Sequence, residues 1–273
     1  RCLHLYPAAL FLACSAAASA ATFCVRDGSE LVAALNVARN NGESDEFRLV
    51  MGSYSNLPDG FVFNNDDGRD VHFTGGWSNI GLAHCISNLG SPHHTVFDAQ
   101  GQSVNLVVDS PGSGDVTFTN LGFVNGDSAG TSANPRAGGL QVRSEGSADS
   151  TLRIERVLFE NNRGNRGAAL FASRVGPIRF ANNVIHANHG VNDSTPATAA
   201  VHLGTLAASG GAHVVNNTWI DNSRDPGPPF AVAGLYAAQA NHSRLYLVNN
   251  LFWSNQDGDA WIDRRANSGQ SVT

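Results

Sequence analysis

From residue 116 onward the apolar and polar positions of the chain recur as one phrase. It reads VTFTNLGFVNG at 116–126, LRIERVLFENN at 152–162, IRFANNVIHAN at 178–188, AHVVNNTWIDN at 212–222 and LYLVNNLFWSN at 245–255, and the five align without gaps. Each opens with apolar residues at i and i+2 (Val116/Phe118, Leu152/Ile154, Ile178/Phe180, Ala212/Val214, Leu245/Leu247), the period of a strand with one buried face. Asn120, Arg156, Asn182, Asn216 and Asn249 come next, and then a large apolar residue: Phe123, Phe159, Ile185, Trp219 and Phe252. That last position returns at intervals of 36, 26, 34 and 33 residues. A weaker phrase falls between the repeats, at 140–142, 170–172, 201–203 and 235–237.

Two or three short strands per period, with turn residues between them and no helical pattern inside, predict a solenoid in which each coil buries its apolar face by stacking on the next. A propeller blade would need about 40–45 residues and four strands. Coils about 4.8 Å apart place equivalent residues in columns. Phe123, Phe159, Ile185, Trp219 and Phe252 are expected in one inward column, and Asn182, Asn216 and Asn249 in a second, with side-chain amides bonding along the stack and to turn backbone. Repetition at every coil marks both columns as architecture rather than as a site.

The first third of the chain predicts a cap. Asp27-Gly28-Ser29-Glu30 has the form of a capping box, Leu31, Ala34, Leu35 and Ala38 follow at helical spacing, and Gly42 is a stop signal. Strand-like segments then begin at 47–49, 61–63, 71–73, 95–97 and 105–107. The expected organisation is a signal peptide over 1–20, a cap helix with irregular first coils over 21–115, and regular coils over 116–273, with 21–273 forming one continuous domain. The leader reading rests on the small, apolar stretch at 3–21 closing with Ala18-Ser19-Ala20. His4, Pro7 and the small residues shorten its apolar centre below what a membrane span needs. Removal of the leader would leave Cys24 and Cys85, and an even pair in an exported chain predicts a disulfide. The start at Arg1 and the polar stretch at 268–273, which has no closing element, predict a fragment or a misplaced start.

Composition narrows the chemistry. Charged residues make up 15% of 273 residues and the net charge is −6, which argues against a nucleic-acid partner that would need a basic stripe. All 17 basic residues are Arg, so lysine-based mechanisms are excluded. Asn64-Asn65-Asp66-Asp67-Gly68 with Asp70 offers oxygen ligands, but without the spaced Asp-x-Asp-x-Asp loop it reads as an exposed turn. No cofactor is expected; Ca²⁺ remains a possible ligand that no motif supports.

The helix followed by FRLVMGSY, then HFTGGWSN with a Cys soon after, TVFDAQGQSVNLVV, and coils of the GGLQV and NNLFWSN type resemble the right-handed parallel β-helix proteins of the pectin-lyase-like superfamily, in particular exported bacterial β-helix-repeat proteins. The resemblance covers roughly residues 24 to 273. It implies an all-β fold, a right-handed parallel β-helix with an N-terminal amphipathic capping helix. The superfamily hosts lyases, hydrolases, adhesins and passenger domains, so fold alone assigns no activity. Its lyases carry Arg-x-Pro-x-x-Arg; here Arg224-Asp225-Pro226 is followed by Pro229 where the second Arg belongs. Its polygalacturonan hydrolases use several close Asp residues with His-Gly; His189-Gly190 is present, but 217–221 supplies only Asp221. Two carboxylates are the minimum for ordinary glycoside hydrolysis.

The remaining polar cluster follows the repeat: Arg163, Arg166, His189, Asp193, Asp221 and Arg224 are a mixture that suits a carbohydrate groove, or else a solvated turn region, where Asn, Asp, Gly and Arg belong anyway. Arg163, His189 and Arg224 are expected to line one side, with a notch at the short 26-residue period floored by His189 and Asp193. Tyr236, Trp253 and Trp261 are candidate sugar platforms, or else ladder-edge aromatics. The expected function is a secreted or cell-surface scaffold that recognises extracellular polysaccharide and lacks a catalytic set. The alternative is a polysaccharide lyase or glycoside hydrolase with an atypical site around His189.

Overall fold

The computed structural model describes residues 20–80, 83–128, 137–144, 150–173, 176–191, 199–206, 211–226, 232–239 and 243–264. Apart from Ala20, the expected leader lies outside these residues, and so does Asp193. Among the described residues there is one helix, and nearly everything else is strand or tight turn.

Three long parallel sheets are visited in rotation. The first takes Ala20–Val25, Ser44–Val50, Val71–Ile80, Val116–Thr119, Leu152–Glu155, Ile178–Ala181, Ala212–Val215 and Leu245–Val248. The second takes Gly52–Tyr54, Thr95–Asp98, Gly122–Val124, Leu158–Glu160, Val184–His186, Thr218–Ile220 and Leu251–Trp253. The third takes Phe61–Asn64, Leu106–Asp109, Leu140–Arg143, Gly167–Ser173, Ala199–Leu206, Leu235–Gln239 and Ala260–Arg264. A fourth, short sheet of Arg163–Gly164, His189–Gly190 and Ser223–Arg224 lies between second and third in chain order. Strand order within each sheet follows chain order, so every circuit is hydrogen-bonded to the circuits before and after it. Ala83–Asn88 departs from this, pairing antiparallel with Val71–Ile80.

The circuits enclose one continuous apolar core running from Val25 to Ala237. Phe123, Phe159, Ile185, Trp219 and Phe252 are successive register partners, and the first four are fully buried. Their rings stack along the column, with Phe123–Phe159 centroids 5.5 Å apart and Trp219–Phe252 centroids 4.5 Å apart. The alternating pattern of the repeat therefore places its large residues inside, as a half-buried strand requires.

The second inward column is shifted by one residue from the expected one. Asn182, Asn216 and Asn249 are exposed and take φ of +58°, +55° and +51°. They form the left-handed corner between the first and second sheets, a conformation Asn tolerates better than most residues. The buried amides are the next residues, Asn183 and Asn217, with Asn250 half-buried at the end of the stack. Asn217 Oδ1 accepts from both N and Nδ2 of Asn183 at 2.9 and 3.0 Å, while Asn217 Nδ2 donates to Phe180 O and Asn250 Oδ1 at 2.9 and 3.0 Å. A second amide ladder, Asn162, Asn188, Asn222 and Asn255, repeats the arrangement at the next corner. Turn backbone groups that would otherwise be buried unpaired are thus satisfied by side chains.

The helix α1, Gly28–Ala38, stands where the first circuit would otherwise enter its second and third sheets, and it contacts the strands Ala20–Val25 and Phe61–Asn64. Asp27 caps it by accepting from Glu30 N at 2.9 Å, and Leu31, Ala34, Leu35 and Ala38 are buried, as their spacing predicts. Glu30 reaches one residue further back than a capping box would, accepting from Arg26 N at 2.9 Å. Cys24 and Cys85 form a disulfide with Cα atoms 5.9 Å apart, fastening the first strand to the antiparallel excursion 61 residues later. No helix among the described residues is long and apolar enough to cross a membrane.

Candidate functional site

One column of side chains runs outside the second amide ladder. Each Asn of that ladder is followed by a residue that the strand alternation turns outward: Asn162 by Arg163, Asn188 by His189, Asn222 by Ser223 and the half-buried Asn255 by Gln256. Arg163 is the register partner of His189, and His189 of Ser223. A bridge between Asp127 and Arg163 extends the column one circuit back, and a bond from Gln256 N to Asn222 O (2.9 Å) extends it one circuit forward. The result is Asp127, Arg163, His189, Ser223 and Gln256 on five successive circuits, about 4.8 Å apart.

Neighbouring members are tied together. Arg163 Nη1 lies 3.3 Å from Asp127 Oδ2, an exposed pair of small energetic weight that fixes the guanidinium along the column. His189 Nδ1 lies 2.9 Å from Ser223 Oγ, and its Nε2 lies 3.0 Å from Asp225 Oδ1. Asp225 follows Ser223 by two residues and so returns to the same side of the strand. The imidazole and the carboxylate retain 36% and 42% of their side-chain exposure, enough for a solute to reach them. Beside the column, Glu160 and His186 pair at 2.9 Å, and Trp253 stands one circuit beyond Ile220 with 66% of its surface exposed.

An open depression of 520 Å³ lies at the N-terminal end of this face, lined by Gln100, Gly101, Asn125, Gly126, Asp127, Asn161 and Arg163. It is centred one to two circuits before His189; the notch expected at the short period includes Asp193, which lies outside the described residues. The lining is mostly amide, carboxylate and guanidinium, with exposed backbone at Gly101 and buried Gly126 beneath. Gly126 is required there: a Cβ on it would come within 1.9 Å of Gly138 O.

The remaining expected site residues are placed as follows. Arg166 is half-buried on the turn before Gly167–Ser173, and its carbonyl accepts from Ala199 N at 3.1 Å. Asp221 is exposed at the left-handed corner with φ +53°, two residues from Ser223. Asp193 lies outside the described residues. Arg224 pairs in register with Gly190, one position past the column, and is only 8% exposed. Its Nη1 donates to Asp225 O at 2.9 Å and its Nη2 lies 3.5 Å from Asp257, so it braces the strand. The place on the exposed face expected for Arg224 is taken by Ser223. Ser223, Asp225 and Asp127 were missed in the sequence; the phase of the repeat, counted from Asn162, Asn188 and Asn222, is the signal that finds the first of them.

Among the candidate platforms, Tyr236 is buried, with its hydroxyl 2.7 Å from Asp263 Oδ2, and only Trp253 lies beside the column. The acidic turn at 64–70 is engaged in hydrogen bonds: Asp67 accepts from Gly42 N and Arg69 N, and Asp70 from Asp115 N. Among the described residues no group of three or more His, Cys, Asp or Glu side chains converges as a metal site. No protein-family model matches the chain, and comparisons with curated proteins and with solved structures return no match.

Proposed function

We propose that the protein is an exported right-handed parallel β-helix of the pectin-lyase-like kind, and that it recognises an extracellular polysaccharide along the column from Asp127 to Gln256. The observation that carries the reading is that column: polar side chains on five consecutive circuits, exposed at Arg163 and Gln256 and half-buried at Asp127, His189 and Ser223, continuous with an open depression and flanked by an exposed Trp. Its spacing is close to the length of one sugar unit, so a linear glycan lying along the stack meets a polar group at each step. Amide, carboxylate and guanidinium groups suit hydroxyl recognition, and Trp253 offers a face for a pyranose ring. The Cys24–Cys85 disulfide supports an oxidising compartment, in keeping with a leader over 1–20 and a secreted or cell-surface location.

The test is a panel of neutral and uronate polysaccharides offered to the secreted protein. Arg163→Ala and His189→Ala are expected to weaken binding about tenfold or more each with little change in Tm, whereas Arg224→Ala lowers Tm because it removes a buried brace. Unchanged binding in both column variants would refute the assignment of this face. An enzyme with an atypical site around His189 is the second reading, and the bridging of Ser223 and Asp225 by one imidazole favours it.

A further inference from the structure

We infer that Ser223, His189 and Asp225 form a nucleophile, base and orienting carboxylate that hydrolyse ester substituents, such as O-acetyl groups, on the glycan held along this face. The substrate class rests on the glycan reading above; the acyl-transfer chemistry rests on the side-chain geometry alone.

The three residues come together because the circuits are in register. His189 and Ser223 are Cα partners on adjacent circuits, 34 residues apart in the chain, and Asp225 is brought to the same imidazole from two residues further on. The two ring nitrogens are used in opposite senses. Asp225 Oδ1, 3.0 Å from Nε2, can only accept, so it fixes the tautomer with the proton on Nε2. Nδ1 then presents its lone pair to the Ser223 hydroxyl at 2.9 Å. A hydroxyl on a base that is itself oriented by a carboxylate is the arrangement that activates serine for acyl transfer, and it is recognised by geometry rather than by chain order. Arg224, turned the other way, holds the Asp225 carbonyl at 2.9 Å and steadies the pair of residues around it.

The reaction balances with water alone. Ser223 Oγ attacks the ester carbonyl carbon while its proton passes to Nδ1, and the carbonyl π electrons move onto oxygen. The tetrahedral intermediate collapses, the bond from carbon to the sugar oxygen breaks, and that oxygen takes the proton from Nδ1. Water then attacks the acyl-serine, giving its proton to Nδ1, and Ser223 Oγ leaves with that proton as the carboxylic acid departs. Gln256 occupies the next place in the column, beyond Ser223 from His189, and its exposed side-chain amide supplies a donor for the oxyanion. The depression lined by Asn125, Asp127, Asn161 and Arg163 lies two circuits away, where a neighbouring sugar of the same chain would rest. An open, shallow face admits a small acyl group carried on a long polymer and gives no enclosure for a large one.

The experiment treats the secreted protein with a fluorophosphonate probe and locates the adduct by mass spectrometry, and in parallel follows acetate release from 4-nitrophenyl acetate and from acetylated polysaccharide. One adduct on Ser223 is expected, with Ser223→Ala and His189→Ala each losing about 100-fold or more of the acetate release. Asp225→Asn, a positioning change, is expected to lower kcat with KM for the acetylated glycan unchanged, a split that loss of packing would not give. Labelling of the unaltered protein does not depend on any variant folding. Absence of a Ser223 adduct, or hydrolysis by Ser223→Ala at the original rate, overturns the proposal. Glycan binding without an adduct sinks the relay and leaves the glycan reading standing; a Ser223 adduct with cleavage of 4-nitrophenyl acetate but no glycan binding upholds the relay and sinks the glycan reading.

Discussion

Two adjacent asparagines, Asn216 and Asn217, should differ sharply in what they contribute to stability. In Asn217→Ala the lost side chain leaves Asn183 N without its acceptor and Phe180 O without its donor, and both lie in a part of the corner that is buried. Each orphaned group costs about 1–3 kcal/mol, and partial relaxation brings the expected total to about 2–4 kcal/mol. Asn216 is exposed at φ +55°, and its side chain makes one long contact, Nδ2 to Asn182 Oδ1 at 3.4 Å. Asn216→Ala therefore costs only the tolerance of the short Asn side chain for left-handed backbone, roughly 1 kcal/mol, and Asn216→Gly is close to neutral. Urea unfolding of the disulfide-intact protein, followed by circular dichroism, reads the difference. With a slope near 3 kcal/mol per M, the midpoint should fall by about 1 M for Asn217→Ala and by about 0.3 M for Asn216→Ala. Equal losses, or a larger loss at Asn216, would refute the assignment of Asn217 to the interior ladder.

Trp219→Ala should cost roughly 3–5 kcal/mol, because the ring is fully buried between Phe180 and Phe252; its Nε1 has no hydrogen-bond partner, so the loss is one of packing, and Trp219→Phe should recover most of it by the same urea assay. Burial lifts the Asp45 carboxyl from its ordinary 3.8 to about 6, with Asp67 and Glu43 adding to the shift and a hydrogen bond from Asn41 opposing it. The folded state then binds the proton more tightly than the unfolded chain, so stability should fall as pH rises from about 4 to 6, by up to about 3 kcal/mol, and stay at the lower level above that. Asp45→Asn should flatten this part of the pH–stability curve and be more stable than the unaltered protein at pH 7. Reduction of the Cys24–Cys85 disulfide, which spans 61 residues, should lower stability by about 4 kcal/mol on the chain-entropy scale, read as a drop in Tm with reductant.

The sequence is most legible where one residue type must repeat. Inward Phe123, Phe159, Ile185 and Trp219, the helix face of Leu31, Ala34, Leu35 and Ala38, and the Cys24–Cys85 pair all follow from spacing and type. The Asn-Asn dipeptide was ambiguous because two candidates stand side by side and a left-handed corner resets the strand alternation between them. Arg156, at the position of Asn182 and Asn216, was the signal: a guanidinium would not stand in an apolar interior column, so that column faces out and Val157, buried, marks the inner position. Arg224 only nearly follows the ladder-ending Asn222, and Gly164 and Gly190 occupy its own register, so its position turns away from the column that Ser223 joins. Asp225 could not be assigned to His189 before the register was known, because 36 residues separate them.

The most direct measurement is the position of a bound oligosaccharide, taken from a crystal soaked with the best ligand of the panel or from backbone chemical-shift mapping. Contacts at Arg163, His189 and Ser223, extending toward Asn125 and Asn161 in the depression or toward Trp253, are the predicted result. A glycan seated on the outer face of the first sheet, at Arg153, Arg179 and His213, with the column unperturbed, would contradict it.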